Sequence, residues 1–189
     1  MSGGMAELRD SGIMLQLAHQ AMLTLGLDAD AIWQRLGITA EILQDRNLRT
    51  PHDAQIIFWG VMEEVSGDPD IGIHLGENMP VYKGQVLQYL FLSSPTFGEG
   101  LTRALNYQRL LSDASQASVE VDDHRASILV ESASDKVKGL RHLNECMVLG
   151  LIRFFQYVTD DQFRPSAIEF THAAPETVAE HERVFGCDV

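Results

Sequence analysis

The chain has 189 residues, 45% hydrophobic and 22% charged, which is the usage of a folded domain with a real core rather than of a tail or a coiled coil. Acidic residues number 27 against 14 Lys and Arg, for a formal net charge of -13, and the basic residues are scattered. The sequence therefore lacks the concentrated basic surface that nucleic-acid phosphates require. No apolar run approaches the roughly 18 residues of a membrane helix, and MSGGMAELRDSG has no apolar signal region, so a cytoplasmic location is the expectation.

The first half predicts short helices separated by clear stops. IMLQLAHQAMLTLG places Met14, Leu15, Ala18, Ala21, Met22 and Leu25 mostly on one helical face. DADAIWQRLG repeats the pattern, with Asp28 or Asp30 as start signals and Gly37 as the stop. TAEILQD adds a turn or two. In TPHDAQIIFWGVMEEVSGDP, Thr50 is the expected N-cap, Pro51 the first helical residue and Asp53 a charge at the positive end of the helix. DIGIHLGEN is ambiguous: Ile71, Ile73 and Leu75 alternate as a strand would, but glycines punctuate the run, and a short helix or turn fits equally.

From Gln85 helical spacing returns through Val86, Leu87, Leu90 and Phe91, with Tyr89 and Leu92 widening the apolar surface. Pro95 blocks clean continuation, and Thr96-Phe97-Gly98-Glu99 has the spacing of a capping box, which starts a second helix through Leu101, Ala104, Leu105 and the partly buried Tyr107 and Leu111. After Ala114 the period changes to two. ASVEVDDHRASILVESA predicts an antiparallel hairpin turning at Asp122–Arg125, with one dry face. GLRHLNECMVLGLIRFFQYVTDDQ is the longest apolar helix, with Leu140, Leu143, Met147, Leu151, Phe154, Phe155 and Val158 facing the hairpin and Arg141 and Arg153 reaching solvent. SAIEFTHAAP predicts a strand, and PETVAEHERVFG a closing helix with Pro175 near its start and Gly186 at its end. The fold class is α+β: an N-terminal helical part (1–80), then a small antiparallel sheet packed against long helices (81–189), in one folding unit.

Chemistry-bearing patterns are sparse. The seven histidines form no H-E-x-x-H, and Phe185 stands where His181-Glu182 would need its second histidine. No G-x-S-x-G or G-x-G-x-x-G is present. Cys146 and Cys187 fall in different elements and make no zinc set, so Cys146 is expected to be a buried free thiol. Neither catalytic residues nor a cofactor or metal site are assigned. Aromatic residues beside the hairpin could line a site for a small apolar or amphipathic ligand, with basic groups adding polar selection. The candidate ligand-binding residues are Tyr82, Tyr89, Phe91, Tyr107, Arg109, His142 and Phe155. His172 is expected to fix the turn before Pro175 through a backbone hydrogen bond.

The order of RLGI (35–38), SGDPDIGIHLGE (66–77), YLFLSSPTFGEGLTRALNYQRLL (89–111), FTHAAP (170–175) and VFGCDV (184–189) resembles the N-terminal regulatory domain of AraC/XylS-type bacterial transcription regulators. It is most similar to the arabinose-binding-like subgroup of ornithine-utilisation and quorum-sensing regulators. The resemblance implies an effector-sensing or dimerising module, a homodimer in the whole protein, and DNA contacts made by helix-turn-helix units beyond a further strand after Val189. The subgroup's label does not make arabinose the ligand. A ligand-free partner-binding domain and a small α+β enzyme are the alternatives.

Overall fold

A computed structural model describes residues 7–45, 47–80 and 86–189. Near the start, β1 (Arg9–Ser11) pairs antiparallel with β2 (Arg49–Pro51), bracketing α1 (Ile13–Thr24), α2 (Ala29–Leu36) and α3 (Ala40–Gln44). The predicted caps form on the short helices. Asp28 accepts the Ala31 N–H at 2.9 Å, and Gly37 ends α2 at φ +67.

The expected start of the next helix is corrected. Thr50 and Pro51 belong to β2, a 3-10 turn covers His52–Ala54, and α4 runs Gln55–Ser66. Pro51 is tolerated because it is the last rung of this short ladder. Asp53, expected to support a helix N-terminus, instead accepts from the Ser134 hydroxyl at 2.8 Å and the Lys136 ammonium at 2.6 Å. A local capping signal has yielded to a long-range strand pairing.

IGIHLGEN resolves as a helix, α5 (Ile71–Asn78), crossing α8 (Arg141–Val158). Its glycines permit close approach. A Cβ at Gly72 would lie 2.6 Å from His142 Cα, and one at Gly76 would lie 3.1 Å from Cys146 Cα. Four residues apart on α5 and facing residues four apart on α8, they let the two backbones touch. The N-terminal half of α8 therefore packs against this side, with Leu140, Leu143 and Cys146 joining the core of Met22, Ile32, Trp33 and Phe58. Only its C-terminal half meets the expected hairpin.

That hairpin, β3 (Ser115–Val121) with β4 (Ala126–Ser132), has the register Val119↔Ile128 and Ala117↔Val130. Asp122 closes its turn by accepting the His124 and Arg125 N–H groups, both at 2.8 Å. Beside it lie α6 (Val86–Leu92) and α7 (Phe97–Asn106), and Phe91, Phe97, Phe154 and Phe155 interlock with ring centroids 5.1–6.2 Å apart. Thr96 caps α7, its hydroxyl accepting the Glu99 N–H at 3.2 Å, while Glu99 Oε1 meets that same hydroxyl at 3.4 Å rather than the Thr96 N–H.

The predicted strand SAIEFTHAAP is corrected to an extended segment with a single parallel bridge, Ala167 to Asp188, where Ile168 N–H donates to the Asp188 carbonyl at 3.0 Å. The last helix, α9 (Ala179–Phe185), begins four residues after Pro175 and ends on Gly186 at φ +70. Phe185 packs with Ile73, Leu149 and Ile152, so α9 covers the α5–α8 pair. Among the described residues no helix is long and apolar enough to cross a membrane.

Candidate functional site

Where α1, α4, α5, α6, α7, α8 and the hairpin converge, they leave a cavity of about 330 Å³. That is the lower end of the usual range for small-molecule sites. Helix α8 supplies Leu143, Met147 and Leu151 at four-residue intervals, plus Cys146, Phe154 and Phe155. Phe58 and Trp59 of α4, Leu101 and Leu105 of α7 and Val130 of β4 close the other sides. The wall is mainly hydrocarbon. Burial, with the neighbouring Glu145 second, pushes the Cys146 thiol up to about 12, so at neutral pH it is a protonated, apolar part of that wall.

Polar groups of the wall gather around Asp10, which is 5% exposed. The strand ladder sets Asp10 opposite Thr50, two residues before His52, and an isolated bridge sets it opposite Ser112. His52 Nδ1 lies 2.9 Å from both carboxylate oxygens, the Ser112 hydroxyl donates at 2.6 Å and the Gln55 amide at 3.0 Å. Burial raises the Asp10 pKa, but these donors outweigh it and hold the carboxyl below its ordinary value. His52 Nε2 lies 3.1 Å from the Ser132 hydroxyl.

Asp10, His52 and Ser132 thus stand in the order of an acyl-transfer triad. Ser132 itself is not on the cavity wall, and its oxygen accepts the Ser134 N–H at 3.1 Å. The three side chains tie β1, the 3-10 turn and β4 together.

A second buried polar cluster lies between α5, α8 and α9. Glu145, fully buried, accepts from Arg141 Nε at 2.8 Å and lies 2.7 Å from His181 Nε2, with His172 Nε2 at 3.8 Å. Arg141 also pairs with Asp70, which corrects the expectation that it reaches solvent. Arg153 is half-buried, its Nε withdrawn from solvent without a hydrogen-bond partner. His172 makes the expected backbone contact, Nδ1 to the Ala173 carbonyl at 3.1 Å. Nearby, His74 of α5 bridges Asp68 (2.6 Å) and Glu180 of α9 (2.9 Å). Its burial is outweighed by those two acceptors, and its pKa is raised.

The predicted site residues separate in space. Phe91 and Phe155 line the cavity. Tyr89 of α6 and Tyr107, just past α7, are 64% and 54% exposed, so the expected partial burial fails for Tyr107 and holds for Leu111, which is half-buried on the cavity wall. Exposed Arg109 borders a separate surface depression with Gln108 and Asp113. His142 is buried off the cavity, its ring tilted at 40° against Trp59 and its Nε2 3.4 Å from Glu63. Tyr82 lies outside the described residues. Sequence reasoning missed Asp10, His52, Gln55 and Ser112. Asp10, His52 and Ser112 sit in short stretches without periodicity and Gln55 at the start of a helix, so only the strand pairing reveals that they meet.

The family model described as the N-terminal arabinose-binding domain of AraC transcription regulators matches residues 26–189. The ornithine utilization regulator of Pseudomonas aeruginosa is 22% identical over 162 residues, which cover 85% of this chain and 48% of that protein. The chain therefore spans about half the length of that relative.

Proposed function

This chain belongs to the family of N-terminal arabinose-binding domains of AraC transcription regulators, and on that premise we propose that it is the effector-sensing domain of a DNA-binding regulator whose DNA contacts lie outside these residues. The observation that carries this reading is the cavity, placed where six helices and the hairpin meet. A small molecule held there touches nearly every element at once. Its differential affinity for two arrangements of those elements is what would shift the regulator between states. The acidic balance of the chain is consistent with leaving DNA binding to another part of the protein.

The wall chemistry favours an apolar or amphipathic effector over a sugar. A pentose buries several hydroxyls that each need a partner, whereas the wall here is mainly hydrocarbon and its one carboxylate is already engaged by three side chains. Self-association as a homodimer completes the proposal, since regulators of symmetric sites pair their subunits. No catalytic role is assigned.

A thermal-shift screen of the purified chain against small amphipaths tests the reading. A ligand at a hundred times its Kd should stabilise the fold by about 2.7 kcal/mol, and Leu151→Trp, which fills the cavity, should abolish the shift while the variant stays folded. Shifts that survive in Leu151→Trp would place the ligand elsewhere. Sedimentation at high micromolar concentration tests the dimer, and a monomer mass counts against it.

A further inference from the structure

We propose that the cavity selects a ligand with a cationic head, a protonated amine on an apolar body, whose ammonium sits against Asp10. This rests on reading the cavity as the effector site and goes further by naming the head group. Among the described lining residues Asp10 is the one carboxylate, and no lysine or arginine accompanies it. Its partners are an imidazole, a hydroxyl and an amide, none of which is a fixed cation. The nearby arginines are engaged elsewhere: Arg49 binds the Arg9 carbonyl at 2.9 Å and Asp113 at 3.0 Å, and Arg9 pairs with Glu7 at 2.7 Å.

The donors around Asp10 already favour its carboxylate form, and an entering ammonium adds the fixed positive charge that none of them supplies. Ser112 and Gln55 donate to one oxygen each, and His52 Nδ1 is shared at 2.9 Å between both, so the ammonium takes over one half of that shared imidazole contact. An anionic head would instead meet like charge in a low-dielectric wall.

Apart from Asp10 and its partners, the polar side chains of the wall are the neutral Thr50, Gln88, Gln108 and Ser115, and the rest is mainly hydrocarbon, which fixes the largely apolar character of the ligand body.

Calorimetric titration of the chain with octylammonium, octanol and octanoate near neutral pH tests the proposal, with indole fluorescence as a second readout. Octylammonium should bind at least about tenfold more tightly than octanol, the size of one charge-assisted hydrogen bond, and octanoate should bind weakest. Asp10→Asn should erase the difference between amine and alcohol. Gln55→Lys, which sets a fixed ammonium beside the carboxylate, should reverse the order and keeps the test decisive should Asp10→Asn not fold. Equal binding of amine and alcohol to the native chain, or a preference that survives Asp10→Asn, overturns the head-group assignment while leaving the cavity as effector site. Absence of binding by all three probes, or binding unchanged by Leu151→Trp, overturns both.

Discussion

Asp10 and Glu145 are both carboxylates withdrawn from solvent, at 5% and 0% exposure, yet their surroundings differ in one respect. Glu145 has a permanent cation one helical turn away, Arg141, with His181 on its other flank, and it faces other protein elements rather than the cavity. Asp10 is held by neutral donors and a histidine and belongs to the cavity wall. A closed cluster of charges fixes the relative positions of packed elements, as Glu145 and Arg141 of α8, with Asp70 at the start of α5 and His181 of α9, do here. An acceptor left without its cation at the wall of a cavity is suited to a ligand. The same residue type thus serves architecture at one place and recognition at the other, and the environment decides which.

The largest expected effect tests the closed side of that contrast. Arg141→Met leaves Glu145 buried and uncompensated and should lower stability by about 3–5 kcal/mol, whereas Arg141→Met with Glu145→Leu should recover much of the loss. Urea unfolding measures both, and an additive double variant would break the distinction between the two carboxylates. Gly72→Ala comes next. Its Cβ would enter the 2.6 Å gap to the His142 backbone, which cannot yield as a side chain can, so a loss of about 1–3 kcal/mol is expected. A neutral Gly72→Ala would mean that the α5–α8 crossing does not set the position of Glu145.

The pH dependence of stability should separate the clusters further. The Asp10 carboxyl is depressed from 3.8, so its contribution is present above the ordinary carboxylate range and is lost as pH falls through the lower folded value. His74 is raised from 6.5. Its contribution is complete below that value and is lost as pH rises through the folded one. Urea midpoints should therefore decline at both ends, and His74→Gln should flatten the alkaline side alone. The smallest effect is chemical: native iodoacetamide labelling should modify half-buried Cys187 before Cys146. Equal labelling rates would show that the cavity wall opens freely to solvent.

How far the sequence could be read depended on whether a feature was local. The hairpin was legible because alternation around Val119, Val121, Ile128 and Val130 and an Asp-rich turn act between near neighbours. The Thr96 and Asp28 caps were legible for the same reason. IGIHLGEN was ambiguous because glycine serves both as a helix breaker and as the residue that lets two helices touch, and only the partner helix tells these apart. Thr50-Pro51 carried a valid helix-start signal that lost to a pairing with residues some forty positions earlier.

The candidate site divides along that line as well. Phe91 and Phe155 could be found because bulky aromatics on helical faces beside a sheet must bury somewhere, and they line the cavity. Their neighbours in that reading, Tyr89 and Tyr107, share the residue class but are exposed, Tyr89 because a short helix with apolar residues all around cannot hide every side. Periodicity and capping chemistry, which act over a few residues, determined by themselves where most helices and the hairpin lie and that the fold is α+β. The meeting of Asp10 with His52, Gln55 and Ser112 arises from contacts between residues 42 to 102 positions apart. Only the tertiary structure decides such contacts, because no short-range free energy depends on them.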